Sequence, residues 1–126
     1  MPLDLDEMSK IAETWIELYR FPEDSLEYDG RFWSHERLWE LIQDDPETAW
    51  NIIQIIKREG SDLTLSNLAA GPLEDLLVTH GDQFIDRVEA LAKHDAQFRK
   101  LLGATWQNSM PGTLWGRIKA VAGPSW

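Results

Sequence analysis

The chain has 126 residues, 22 acids against 12 bases for a formal net charge of −10, seven Trp and no Cys. That length fits one domain with a real core; the aromatic content excludes a disordered acidic tail, and the lack of Cys excludes a disulfide scaffold, a thiolate metal site and a cysteine nucleophile. Residues 1–50 hold 14 acids against 4 bases, residues 51–126 hold 8 of each, and residues 96–126 carry Arg99, Lys100, Arg117 and Lys119 with no acid, a field that favours a basic protein partner and disfavours direct nucleic-acid binding, which rests on Lys and Arg displacing counterions.

The N-terminus reads Met-Pro-Leu-Asp-Leu-Asp-Glu, acidic where a signal peptide needs a positive region. No apolar run approaches the roughly 20 residues of a membrane helix, so a cytoplasmic location is expected. Met8, Ile11, Ala12, Trp15, Leu18 and Tyr19 recur at three- and four-residue steps, which predicts a first helix from about Asp4 to Arg20. Residues 21–33 hold Pro22, Gly30 and four acids without a period and read as a loop or short helical turn. Ser34 is placed to cap a second helix, with Trp33 and Leu38 as its hydrophobic staple. Asp45-Pro46-Glu47 then opens a helix carrying Ala49, Ile52, Ile53 and Ile56 that stops at Gly60, because aspartate caps, proline suits the first helical position and glutamate faces the positive helix end.

The rest repeats that plan. Leu38-Trp-Glu-Leu-Ile42, Leu73-Glu-Asp-Leu-Leu77 and Phe98-Arg-Lys-Leu-Leu102 share one pattern, and each is followed by a second apolar-striped helix: Ala49 to Ile56, Ile85 to Ala92, and Trp115 to Ala122. No segment alternates with period two for long enough to suggest a strand. The expected fold over residues 1–126 is therefore all-α, an N-terminal helix plus three antiparallel helical hairpins in a small α-solenoid or bundle. Trp15, Trp39, Trp50, Trp106 and Trp115 lie in or near apolar stripes and are expected in the core. Trp126 follows Gly123-Pro124-Ser125 and is either docked on the fold or an exposed contact residue.

Residues 63–121 contain Leu65-Ser-Asn-Leu-Ala-Ala-Gly-Pro-Leu-Glu-Asp-Leu-Leu77, then Phe84-Ile-Asp-Arg-Val-Glu89, Trp106-Gln-Asn108 and Trp115. This resembles an uncharacterised bacterial domain family marked by the phrase LAAGPLEDLL, a resemblance that implies no activity. The hairpins also resemble HEAT-type repeats, in which a proline bends the first helix and an aspartate and an arginine follow; Pro72, Asp82 and Arg87 stand in that order.

Gly71-Pro72 interrupts an apolar period, since a proline there lacks an amide donor and collides with the carbonyl of Leu68. The helix must kink or restart, either to curve around the core or to let freed backbone groups and Asn67 line a binding surface. His80, Asp82 and Asp86 form the one cluster suited to acid–base or metal chemistry, although helix capping by Asp82 accounts for it as well. No phosphate loop, nucleophile elbow or HExxH motif occurs, so no catalytic residue, cofactor or metal is expected. Glu36, Glu40 and Asp44 stand four residues apart, as do Glu13 and Glu17. Like charges at that spacing cost about 0.2–0.5 kcal/mol per pair, so helix stability does not select the stripe.

The expected function is a non-enzymatic acidic module, an immunity or inhibitor protein that blocks a basic nucleic-acid-binding or nuclease partner through Glu13, Glu17, Glu36, Glu40 and Asp44. Asn67, Pro72 and Trp126 are further candidate contact residues. The alternatives are a scaffold or adaptor using the Leu65 to Leu77 helix, and a small enzyme using His80, Asp82 and Asp86.

Overall fold

A computed structural model describes residues 3–126, and every regular element in them is helical. Helix α1 (Leu5–Leu18) is capped by Asp4, whose carboxylate accepts the Glu7 N–H at 2.8 Å. It buries Ile11, Ala12, Trp15 and Leu18, the stripe its spacing predicts.

Helix α2 (Leu26–Asp44) corrects the expectation for residues 21–33, most of which are helical. Ser25 is the cap, its Oγ accepting the Tyr28 N–H at 3.1 Å, and Glu27 and Asp29 occupy the first turn, where the helix dipole favours acids. Ser34 lies inside the helix, buried, with its hydroxyl donating to the Arg31 carbonyl at 2.7 Å, and Trp33 is 39 % exposed, so neither the Ser34 cap nor the Trp33 staple forms. The inner edge of α2 runs Tyr28, Arg31, His35, Leu38, Ile42. That is a regular helical spacing whose first three members are polar or amphipathic, so a search for apolar residues passes over it.

Asp45 ends α2 and caps α3 (Pro46–Lys57), accepting the Thr48 N–H at 3.3 Å and its hydroxyl at 2.7 Å. Beyond α3 the chain turns at Gly60, whose φ of +79° is the left-handed conformation that suits glycine. Then α4 (Asp62–Leu68), a π-helical turn (Ala69–Leu73) and α5 (Glu74–Ala92) follow without a break. Pro72 sits buried inside the π-turn. The interruption expected there takes this form because the wider turn accommodates the missing amide and the proline ring.

The second discontinuity falls at His80, where φ −130° and ψ 25° kink α5 without a loop. The arms of the second expected hairpin are thus one kinked rod, and among the described residues Asp82 makes no capping bond. His80 donates to the Ile42 carbonyl at 2.7 Å and Gly81 packs against Leu114, so tertiary contacts hold the kink. Helices α6 (Ala96–Gly103) and α7 (Gly112–Val121) complete the chain, with Asp95 capping α6.

Helix α1 lies antiparallel to α2: Glu17 meets Arg31, while Glu7 and Lys10 share a hollow with Trp33 and Arg37. Helix α1 also packs on α3, and α5 packs on α7 and α2. A continuous apolar core links all seven helices and includes Trp15, Trp50, Phe84 and Phe98. Two tryptophans expected inside are outside: Trp39 is 54 % and Trp106 75 % exposed. On α2, Trp39 stands about 160° around the helix from buried Leu41. The C-terminal residues dock on α6, with Gly123 N–H donating to the Arg99 carbonyl at 2.9 Å and the Trp126 indole to the Lys100 carbonyl at 2.7 Å.

Candidate functional site

The outer side of α2 carries the candidate site, an open groove of about 390 Å3 lined by Phe32, His35, Glu36, Trp39 and Glu40. The helical repeat puts residues 32, 36, 39 and 40 on one side, and the inward face of α2 leaves that side free of the core. The rings of Phe32 and His35 lie 5.1 Å apart and tilted by 31°, and Tyr28 extends the row at 5.9 Å from Phe32. The Tyr19 hydroxyl, whose pKa is pushed up to about 12 by burial and then by Tyr28 and Glu23, lies 3.5 Å from His35 Nδ1.

Trp39 and His35 also wall a narrower slot that runs under the groove to Gly71, Pro72 and Asp75 on the far side. The half-buried Asp75 carboxyl is held above the usual aspartate range, chiefly by burial and then by Glu74, with His35 offsetting part of the effect. Trp15 lines the same slot, and its indole N–H is a buried donor with no acceptor among the described residues.

The LAAGPLEDLL segment therefore divides by depth. Leu68, Ala69, Pro72, Leu73, Leu76 and Leu77 are buried, whereas Ala70 is exposed and Gly71 and Asp75 reach the surface. Between them Glu74 is a latch: its carboxylate accepts the Trp106 N–H at 3.0 Å and the Asn108 amide at 3.2 Å. That pulls residues 104–111 against the π-turn and leaves the Trp106 ring beside Ala70. Asn108 holds φ 51°, a left-handed conformation that asparagine tolerates better than most residues. Since Gly71 borders the Trp39 slot and Ala70 the Trp106 hollow, these neighbouring residues join the two exposed indoles in one surface.

Of the residues singled out from the sequence, Glu36, Glu40 and Pro72 come together around this groove and slot. Glu13, Glu17 and Asp44 are exposed but line neither. Glu17 is bound to Arg31 at 3.0 Å, tying α1 to α2, and Glu40 has Arg37 at 3.8 Å, an exposed pair of the kind that contributes little. Asn67 is half-buried on α4 outside both hollows, and Trp126 is 46 % exposed while docked on α6. Of the four bases at the acid-free C-terminal end, Lys100 pairs with Asp62 at 2.6 Å and Arg117 with Asp86 at 2.8 Å and Glu89 at 2.5 Å, while Arg99 donates to the Ala92 carbonyl and Lys119 lies over the Trp115 ring.

His80 and Asp82 border one open hollow of about 300 Å3 with Gln83, Pro111 and Leu114, and Asp86 lies outside it. The Ile42 carbonyl can only accept, so His80 Nε2 carries its proton there; Asp82 is exposed and Asp86 is committed to Arg117. Among the described residues no group of three or more His, Asp or Glu is placed to hold a metal ion, and no helix is long and apolar enough to cross a membrane. Phe32, His35, Trp39 and Asp75 were not singled out as site residues. The signal for Trp39 was its phase, opposite Leu41; nothing local marks Asp75, which reaches the slot only because the π-turn packs beside α2.

No curated protein and no solved structure matches the chain. A family model matches residues 22–125, which takes in α2 to α7 and with them the groove, the slot and the Glu74 latch, and the chain belongs to that family of unknown function, DUF6869.

Proposed function

We propose that this protein is a non-enzymatic binding module that seats its acidic α2 face on a basic partner protein and blocks it, as an immunity or inhibitor protein blocks a nuclease or other nucleic-acid-binding protein. The observation that carries this reading is the groove itself, in which the exposed rings of Phe32 and Trp39 flank the carboxylates of Glu36 and Glu40. Aromatic anchors supply most of the energy at protein interfaces, while surrounding charge sets the encounter rate and the choice of partner. Glu13, Glu17 and Asp44 add to the field outside the groove. The adaptor alternative is favoured by a different observation, the Ala70-Gly71 bridge between exposed Trp39 and Trp106, and it predicts an interface that survives salt.

The test is capture from native lysate with tagged wild type and with the Glu36→Lys, Glu40→Lys double variant, washed at low and high salt. A basic protein retained by wild type at low salt, and lost both at high salt and with the variant, is the expected result. Its purified form should lose nucleic-acid binding when the module is added. A partner held equally by both proteins at high salt would sink the electrostatic reading in favour of the adaptor.

A further inference from the structure

The geometry points to the α2 groove as an arginine site: one guanidinium of the partner stacks on Trp39 beside Phe32 and bridges the carboxylates of Glu36 and Glu40. This rests on the basic-partner reading for the source of the arginine, and it adds that one planar cation, rather than charge spread over the face, is the anchor. Glu36 and Glu40 are one helical turn apart on the same side, so their carboxylates can flank a planar group from two edges. Glu36 has no ion-pair partner among the described residues, and the Arg37 contact of Glu40 is long and exposed. The walls are aromatic, with Trp39 exposing half its surface and Phe32 about a third.

Guanidinium suits such walls better than ammonium does, because it is flat, weakly hydrated and able to donate in its plane while stacking through its face. A lysine would gain the charge but neither the stack nor the fork. The molecule already pairs guanidinium with ring and carboxylate in one place: Arg87 lies 4.9 Å from the Phe84 centroid and 5.6 Å from that of Trp50 while its two terminal nitrogens bind Glu47 at 2.7 and 3.0 Å.

The probe is N-acetyl-arginine amide, titrated into the 15N-labelled protein while the indole N–H signals are followed, with Trp39→Phe identifying the signal of residue 39. A saturable shift of the Trp39 signal is expected, with affinity about tenfold weaker for the uncharged citrulline analogue, which forfeits the charge-assisted contacts. Glu36→Gln with Glu40→Gln should weaken binding comparably, and Trp39→Ala, followed through the backbone amide signals of residues 36 and 40, should abolish it. These side chains are exposed, so none of the variants should melt below wild type. Equal shifts with N-acetyl-lysine amide, or a Trp39 signal unmoved by any of the amides, would overturn the arginine site. The two readings fail separately. Salt-sensitive capture that persists in Trp39→Ala refutes the arginine anchor and leaves the basic-partner reading standing, whereas a saturable arginine site without a salt-sensitive protein partner refutes the inhibitor reading alone.

Discussion

Glu74 shows how much one side chain can hold that its neighbours in sequence do not announce. It lies within Gly-Pro-Leu-Glu-Asp, where a reader sees two adjacent acids and no reason to separate them. In the fold Asp75 faces the slot, and Glu74 turns to the other side to satisfy the Trp106 N–H and the Asn108 amide. Those donors lie more than thirty residues downstream, so no local pattern could report the pairing. Glu74→Ala leaves both donors short of their acceptor, and because they stand on exposed residues that water can reach, the loss is that of ordinary hydrogen bonds, about 0.5–1.5 kcal/mol. Denaturant unfolding of Glu74→Ala should show a loss in that range, with faster amide exchange at Trp106 as the loop lifts from the π-turn. A variant within about 0.5 kcal/mol of wild type, the usual scatter of surface changes, would mean the latch contributes nothing.

At the scale of elements, legibility followed locality. Helices α1 and α3 were readable almost to their ends because cap, proline and apolar spacing all lie within a few residues of one another. Helix α2 was misread at its start because its inner face uses Tyr28, Arg31 and His35, and its outer face displays the aromatics that a search for core residues prefers. The break at His80 was visible, but its outcome as a kink depends on Ile42 and Leu114, two partners remote in the chain.

The join between α3 and α6 is also non-local. Lys57, only 6 % exposed, places its ammonium on Asp95, the residue whose carboxylate caps α6 through the Phe98 N–H at 2.9 Å. Burial alone would raise the Asp95 pKa, but the hydrogen bonds from Lys57 and from the Phe98 backbone outweigh it and hold the carboxyl below its usual 3.8. A carboxyl with a depressed native pKa binds fewer protons folded than unfolded. Its contribution is therefore complete above 3.8 and is lost as pH falls through 3.8 toward the lower folded value. Asp95→Asn keeps a capping oxygen but strands the Lys57 charge. It should destabilise the fold by about 3 kcal/mol near neutral pH and flatten the fall in stability below pH 4, measured by urea unfolding across pH. An unchanged acid limb in the variant would assign that limb to other carboxylates.

For the whole molecule the decisive quantity is how the charges are spent. Arg20, Arg31, Arg37, Lys57, Arg87, Lys100 and Arg117 each stand within ion-pair distance of a carboxylate, so the few bases are mostly consumed within the fold and the acidic excess remains on α1, α2 and the segment between them. The sequence revealed that imbalance at once. It did not reveal which acids stay free, because pairing depends on which helices meet. Exposed pairs of this sort are worth about 0–1 kcal/mol each, whereas uncompensated like charge strains the folded state throughout. Salt should then act with opposite sign on folding and on binding. Raising ionic strength from about 10 mM to about 150 mM shortens the screening length from about 30 Å to about 8 Å, which relieves repulsion among the free acids and should raise the melting temperature by a few degrees. The same change should weaken capture of a basic partner. Each Glu→Lys reversal at positions 36 and 40 removes two units of negative charge, so the double variant should melt higher than wild type at low salt and respond less to added salt. Melting curves of both proteins across that range test the point. A melting temperature that falls as salt rises would show that the ion pairs outweigh the repulsion, and that the free acids cost the fold too little for their retention to require a partner.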